Sequence, residues 1–385
     1  MLEYSDVQYL WRYQRLKVAL AMSGGVDSSV ALHILLEKGY EVVGVHMKTF
    51  PDEYFSFEAR VKKKVCCGPS DTRDAHRIAT EAGVPFKIIN LGELFSREVV
   101  ERFLSMYRGG YTPNPCVFCN RYVKMGALLD YAVKNLNCQK FATGHYARVE
   151  YVEDLEHWLI KRAVDLEKDQ SYFLSLIKPE RLPYLLLPLG EWKKADIREK
   201  ARELGLHVFD KTESQEICFV PEDDVSSYLK EKLGSLRGAI KTLDGKVVGE
   251  HEGYFLYTVG QRKGLKVQLG KRVYVHHVDP MTNTVYVAER EKLLAGYITA
   301  TQPNYFLPPQ ILIALSREET FRCKVRSKSN MLAVASLECT QDRLKLTLKE
   351  PAFAVTPGQV LAVYWKDYLV AGAIIEEWEA FERVE

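Results

Sequence analysis

No stretch of the 385-residue sequence reaches the roughly 18 uninterrupted apolar residues that a membrane-spanning helix requires. The opening run MLEYSDVQYLWRYQRLK likewise lacks the continuous apolar core of an export signal. A cytoplasmic protein with no membrane association is therefore expected. Internal repeats and low-complexity segments are absent, and with 47% hydrophobic and 27% charged residues the composition excludes disordered and collagen-like classes. A strong excess of one charge is missing too, since the net charge is +2. That excludes little, because a local basic surface on a near-neutral protein can still meet a phosphate backbone. Neither G-x-x-x-x-G-K-[ST] nor G-x-G-x-x-G occurs, which removes the Walker-type and dinucleotide-binding readings. Cysteine is not scarce. In a reducing compartment stable disulfides are not expected, so clustered cysteines point to metal or redox chemistry.

At this length two or three domains are expected. From Val18 to about Val149 short apolar runs (VALAM, EVVGVHM, FKII, KFATG) alternate with helical patterns near 28–38, 71–82 and 119–135. That alternation predicts an α/β fold with a doubly wound parallel sheet, whose ligands sit at the carboxyl ends of the strands. A helix over 192–204 is closed by Gly205, and α/β character persists to about Cys218. Beyond it an Asp244-Gly245 hairpin signal and the alternating run RVYVHHVDPMTNTVYVAE open a β-rich half. The boundaries drawn are 1–225, a central β-rich domain over 226–298, and a C-terminal domain over 299–385.

The chemistry starts at Ser23-Gly24-Gly25-Val26-Asp27-Ser28, between the apolar run Val18–Ala21 and a helix. Two glycines let the backbone turn tightly and approach a ligand, while serines and the N–H groups of the helix start supply donors to an anion. Asp27 could hold a Mg²⁺. Further along, Cys116 and Cys119 stand three apart at a helix entry, after Pro113 and Pro115 have kept the chain extended. Such a spacing suits a redox or metal pair, and a helix start favours thiolates. By spacing alone Cys218 reads equally well as a buried cysteine. Cys66-Cys67, Cys138, Cys323 and Cys339 show no partner spacing, although the vicinal pair is a weaker redox or metal candidate.

The loop resembles the signature of the N-type ATP pyrophosphatases, the PP-loop family, which split ATP between its α and β phosphates. The ordered strings AMSGGVDSS, CCGPSDTRDAHRIATEAGVPF, GGYTPNPCVFCNRYVK, FATGHYAR, KDQSYFL, ESQEICF, YTVGQRKGL and AVTPGQ resemble the tRNA-specific 2-thiouridylases over nearly the whole chain. The resemblance implies an adenine nucleotide alpha hydrolase-like sheet, a small central domain and a C-terminal β-barrel that contacts tRNA. It also implies an ATP-dependent sulfurtransferase that replaces O2 of the wobble uridine in tRNAs for Lys, Glu and Gln, after adenylation and pyrophosphate release.

Residue by residue, the resemblance implies ATP contacts at Ala21, Met22, Ser23, Gly24, Gly25, Val26, Asp27, Ser28, Met47 and Gly144. It places Asn114, Pro115 and Cys116 against the target base, and tRNA contacts at His145, Lys168, Asp169, Gln170, Arg326, Ser327 and Gln359. Ser327 departs from the family, where Tyr is expected. His145 also reads as a satisfied core histidine, Lys168-Asp169-Gln170 as a solvated turn, and Gly358-Gln359 as an ordinary hairpin turn.

In the persulfide version of the mechanism Cys218 carries the sulfur and Cys119 attacks and resolves. Many relatives have Asp where this chain has Cys116. That departure creates a set of three thiols, Cys116, Cys119 and Cys218, able to bind a [4Fe-4S] cluster with one open iron or, with the same ligands, zinc. For this variant the reading leans to the cluster. The partners implied are tRNA and a sulfur donor such as a cysteine desulfurase or a persulfide relay protein. The rivals are another PP-loop enzyme that modifies tRNA or amidates with an amine nucleophile, and an RNA-binding module with a degenerate loop.

Overall fold

The computed structural model describes residues 16–49, 68–212, 217–220, 222 and 224–381. Cys66 and Cys67 lie outside them. The first sheet comprises strands β1 (Lys17–Ala21), β2 (Glu41–Lys48), β3 (Phe86–Asn90), β4 (Lys140–Thr143) and β7 (Leu185–Leu186), ordered β3-β2-β1-β4-β7 with parallel pairings throughout. The centre of β1 is fully buried, as its unbroken apolar sequence requires of a strand covered on both faces. Around the sheet lie helices α1 (Val26–Glu37) and α2 (Pro69–Glu81), and a helical stretch α3 over 92–108. Then follow a long helix α4 over 115–136 and α5 (Lys194–Glu203).

Two of these helices carry π-turns, Ser96–Glu101 in α3 and Cys119–Leu128 in α4. Such widened turns are uncommon and concentrate at functional sites. Helix α3 is absent from the sequence reading. Its Phe95, Val99, Phe103 and Tyr107 are nonetheless buried at every fourth position, which is the mark of one apolar face.

The central sheet, ordered β10-β11-β8-β9, comprises β8 (Gly238–Thr242), β9 (Val247–His251), β10 (Tyr274–Asp279) and β11 (Thr284–Ala288). Helix α6 (Val225–Leu233) precedes it. The barrel strands are β12 (Leu294–Tyr305), β13 (Phe321–Lys324), β14 (Leu332–Cys339), β15 (Arg343–Phe353), β16 (Val360–Trp365) and β17 (Tyr368–Ala380). They run β12-β15-β14-β13-β16-β17 and close through pairing of β17 with β12. Helix α7 (Pro309–Ser316) packs against β14.

One connection has no counterpart in the sequence reading. A hairpin of β5 (Ala147–Val152) and β6 (His157–Arg162) leaves the nucleotide half and extends the barrel sheet, β6 pairing with β17 at Leu369↔Ile160. The cores merge accordingly. Val43, Val45 and Phe141 of the parallel sheet share one buried cluster with Leu344, Val363 and Ile375 of the barrel. Another cluster joins α3, the start of α4, residues 217–220 and the central sheet.

Candidate active site

The loop over 22–25 joins β1 to α1, so it lies at the carboxyl end of the central strand. Gly24 takes a left-handed conformation (φ +74°), and a Cβ there would stand 2.1 Å from the backbone oxygen of Asp71 in α2. Only glycine fits both conditions. Ser28 ties the loop together: its hydroxyl accepts from the Ser23 N–H at 3.2 Å and donates to the Gly25 carbonyl at 3.2 Å. From behind, fully buried His46 reaches the Met22 carbonyl through Nδ1 at 2.8 Å and Thr72 through Nε2 at 2.9 Å. Burial lowers the pKa of His46, so the ring is neutral and donates to that carbonyl from Nδ1.

Gly144 follows β4 and approaches the first turn of α1 so closely that a Cβ would lie 3.1 Å from the Ser28 nitrogen. Met47 ends β2 and packs against two core clusters. The candidate nucleotide residues from Ala21 to Ser28, with Met47 and Gly144, thus meet at the ends of three adjacent strands.

Asp27 is held in a way the sequence does not indicate. Lys194 at the start of α5 places Nζ 2.7 and 2.9 Å from its two carboxylate oxygens, and the Tyr146 hydroxyl donates to it at 2.7 Å. Lys194 is itself buried and lies over the Tyr146 ring at 5.5 Å. The loop contains no cation, and the fold supplies one from 167 residues away. Among the loop residues Asp27 is the one that would hold Mg²⁺, an ion that needs only one or two carboxylates beside substrate phosphates.

The cysteines emerge from the same half. Asn114 caps the start of α4, its side chain accepting from the Cys116 N–H at 3.2 Å; Pro115 is buried and Cys116 is exposed. Cys119 opens the π-turn and is buried in the cluster against which half-buried Cys218 and Met47 pack. Phe219, the residue after Cys218, stacks edge-on against Phe103 at 5.1 Å and Phe95 at 6.0 Å. The structure therefore brings Cys119 and Cys218 to one apolar cluster bordering the nucleotide residue Met47. It does not gather the expected metal set. Among the described residues no three Cys, His, Asp or Glu side chains stand where they could hold a metal ion. With Cys116 exposed and Cys119 buried, the described residues give the leaning toward a cluster no support.

The candidate tRNA residues fall into two groups. His145 follows Gly144, with Nδ1 2.8 Å from the Thr143 hydroxyl; burial, then the charge of Lys124, holds its pKa well below the usual histidine range. Asp169 has an almost wholly buried side chain, which accepts from Ala163 N, Ser171 N and the Ser171 hydroxyl and pairs with Arg162. Lys168 precedes it in the turn, and the Gln170 side chain accepts from the Tyr146 N–H at 2.9 Å. These contacts brace the segment that carries His145 and Tyr146.

Arg326, Ser327 and Gln359 line a cleft of about 300 Å³ with Thr258, Lys328 and Thr356, between the central sheet and the barrel. The Arg326 guanidinium donates to Val259 O at 2.9 Å, to Ala354 O at 2.6 Å and to the Thr356 hydroxyl. Gln359 donates to Thr112 O at 2.9 Å. Thr112, which Gln359 holds at the edge of the cleft, lies four residues before Cys116 and so at most about 14 Å of chain from that cysteine.

Family models match three consecutive parts of the chain. They are described as the tRNA methyl transferase HUP domain over residues 16–222, the tRNA methyl transferase PRC-barrel domain over 226–289 and the Aminomethyltransferase beta-barrel domain over 296–375. The tRNA-specific 2-thiouridylase MnmA of Thermotoga petrophila is 45% identical over 364 residues, 94% of this chain and 99% of that protein. The chain belongs to the tRNA-specific 2-thiouridylase family. Other members are similar to it over comparable lengths. The Aquifex aeolicus protein is 41% identical over 94% of this chain and 99% of its own, and that of Salinibacter ruber 42% identical over 94% of each. The domain descriptions speak of methyl transfer, whereas these thiouridylases match along almost the entire chain. No helix among the described residues is long and apolar enough to cross a membrane.

Proposed function

We propose that this 2-thiouridylase uses ATP to adenylate O2 of the wobble uridine in tRNAs for Lys, Glu and Gln and then replaces that oxygen with sulfur. The observation that carries the reading is the packing of Met47, at the strand end beside the phosphate loop, against the cluster that holds Cys119 and Cys218. A urea-like carbonyl carbon is a poor electrophile, so activation must precede attack, and a nucleotide candidate that borders the cysteine cluster supports that order. Lys194 and the N–H groups of the loop and of the α1 start face charge that develops as pyrophosphate leaves. Mg²⁺, held at Asp27, would neutralise further phosphate charge.

A donor protein of the desulfurase or relay type loads one sulfur atom onto Cys218 as a persulfide. The Cys119 thiolate attacks the inner sulfur and forms a Cys119–Cys218 disulfide. The outer sulfur leaves with the electron pair of the broken S–S bond, bonds to C2 of the uridine, and AMP departs with the former O2. A thiol reductant then restores both cysteines. Neutral His145 can donate or accept a hydrogen bond at the base without placing a positive charge there. The cluster alternative lacks a gathered ligand set, so no step is assigned to it.

Incubation of the protein with ATP, Mg²⁺, unmodified tRNA and a persulfide donor, followed by nucleoside analysis, tests the reading. Cys119→Ser should remove 2-thiouridine formation and leave tRNA-dependent pyrophosphate release in place. Persistence of thiolation in that variant, or thiolation without ATP, would sink it. An amine-using PP-loop enzyme would be indifferent to Cys119→Ser, and a pure RNA-binding module would release no pyrophosphate.

A further inference from the structure

Behind the phosphate loop lies a charge cluster that the reaction above does not use. Lys211 Nζ donates to the Gly24 carbonyl at 2.9 Å, to Asp71 at 2.7 Å and to Asp74 at 2.7 Å; His207 lies 3.3 Å from the other oxygen of Asp74. An ammonium group has three hydrogens, and here three convergent acceptors take them. Burial disfavours charge on Lys211, but its hydrogen bonds to Asp71 and Asp74 more than offset this and raise its pKa. Burial alone would push Asp74 up, yet Lys211 and then His207 bring it below the usual range. Lys211 and Asp74 are therefore ionised at neutral pH.

The placement matters because a peptide is planar and trans. Its carbonyl and its N–H point to opposite sides. The oxygen held by Lys211 belongs to the Gly24–Gly25 peptide, so fixing that oxygen fixes the Gly25 N–H on the opposite side, away from α2. Gly24 has the left-handed backbone that makes this orientation available, and it is pressed against Asp71 from the same side. A charged donor on the carbonyl also polarises the peptide and strengthens its N–H as a donor.

We propose that Lys211 is a positioning residue for the adenylation step: it aims and polarises the Gly25 N–H toward the nucleotide phosphates. The inference rests on the reading that the loop holds ATP. Lys211 never touches the nucleotide, and Asp71 and Asp74 serve to keep its ammonium charged and centred. Affinity for the phosphate part of the ligand depends on it, and affinity for the nucleoside part does not.

Calorimetric titration of wild type and Lys211→Met with Mg²⁺–pyrophosphate, a non-hydrolysable ATP analogue and adenosine separates these contributions. Loss of one well-aimed charge-facing donor should weaken pyrophosphate and the analogue about tenfold. Adenosine should bind both proteins equally. If Lys211→Met does not fold, Lys211→Gln retains a donor for the carbonyl and should show the same selective loss at smaller size. Equal weakening of adenosine and pyrophosphate, or unchanged binding of all three in a folded variant, would overturn the proposal by reducing Lys211 to a structural ion pair. Wild type that binds neither pyrophosphate nor the analogue would overturn the nucleotide reading itself, and this inference with it.

Discussion

The two groups of candidate site residues commit their polar atoms differently. At the strand ends Asp27 is held by one ion pair, from Lys194, and one hydroxyl, from Tyr146, and both the carboxylate and the ammonium are groups that an arriving cation or phosphate can draw on. In the cleft between central sheet and barrel, Arg326 and Gln359 bond mostly to main-chain carbonyls of neighbouring segments. The first arrangement is built to rearrange around a ligand. The second holds segments in register and shapes a surface, so a residue matched by motif to RNA contact can act by positioning the chain that leads to Cys116.

Removing Lys194 should separate the two regions most sharply. Lys194→Met takes away the buried cation paired with Asp27 of the phosphate loop, and adenylation should fall by about 10²–10³-fold, the size seen for loss of one preorganised electrostatic group. Binding of tRNA should change little, as checked by filter binding beside a pyrophosphate-release assay. A parallel loss of RNA affinity would blur the distinction.

Arg326→Met attacks the other region. It leaves the Val259 carbonyl without its side-chain donor and the Ala354 carbonyl with the Thr356 hydroxyl alone, which should cost about 1–3 kcal/mol of stability, read by chemical denaturation. The variant should also raise the KM for tRNA and leave that for ATP unchanged. A raised KM for ATP would show that the cleft and the loop are not separate devices.

The smallest expected effect is the response to acid. His33, His46, His145, His251, His276 and His277 all have pKa values lowered by burial. Their unfolded forms take up protons near pH 6.5, whereas the folded forms resist until lower pH. Stability should therefore be full above about pH 6.5 and decline as pH falls through the folded values. Thermal melts at pH 8, 7, 6 and 5 check this, and a protein most stable at pH 5 would contradict the lowered histidine pKa values, above all those of buried His46 and His251.

Much of the nucleotide end was legible in the sequence, because strand, glycine loop and helix are consecutive and each has its own periodicity. The reading also gave the β-rich character of the second half. What it missed depends on distance along the chain. The β5–β6 hairpin pairs with a strand some 200 residues later, and nothing local indicates that Ile160 faces Leu369. Lys194 and Lys211 sit in ordinary charged stretches and acquire meaning only when α5 and the segment after it fold back onto the loop. The cysteine set is legible only in part: Cys116 and Cys119 are close along the chain, but that the start of α4 leaves one exposed and the other buried depends on packing against distant segments.

The account stands most directly on the pairing of Cys119 with Cys218. A single turnover with persulfide-loaded protein, ATP and tRNA, quenched without thiol reductant and analysed by peptide mass spectrometry, tests it. The account predicts a Cys119–Cys218 disulfide appearing in step with 2-thiouridine, with Cys116 still a thiol. Thiolated tRNA formed with no such disulfide, and abolished equally by Cys116→Ser, would contradict it.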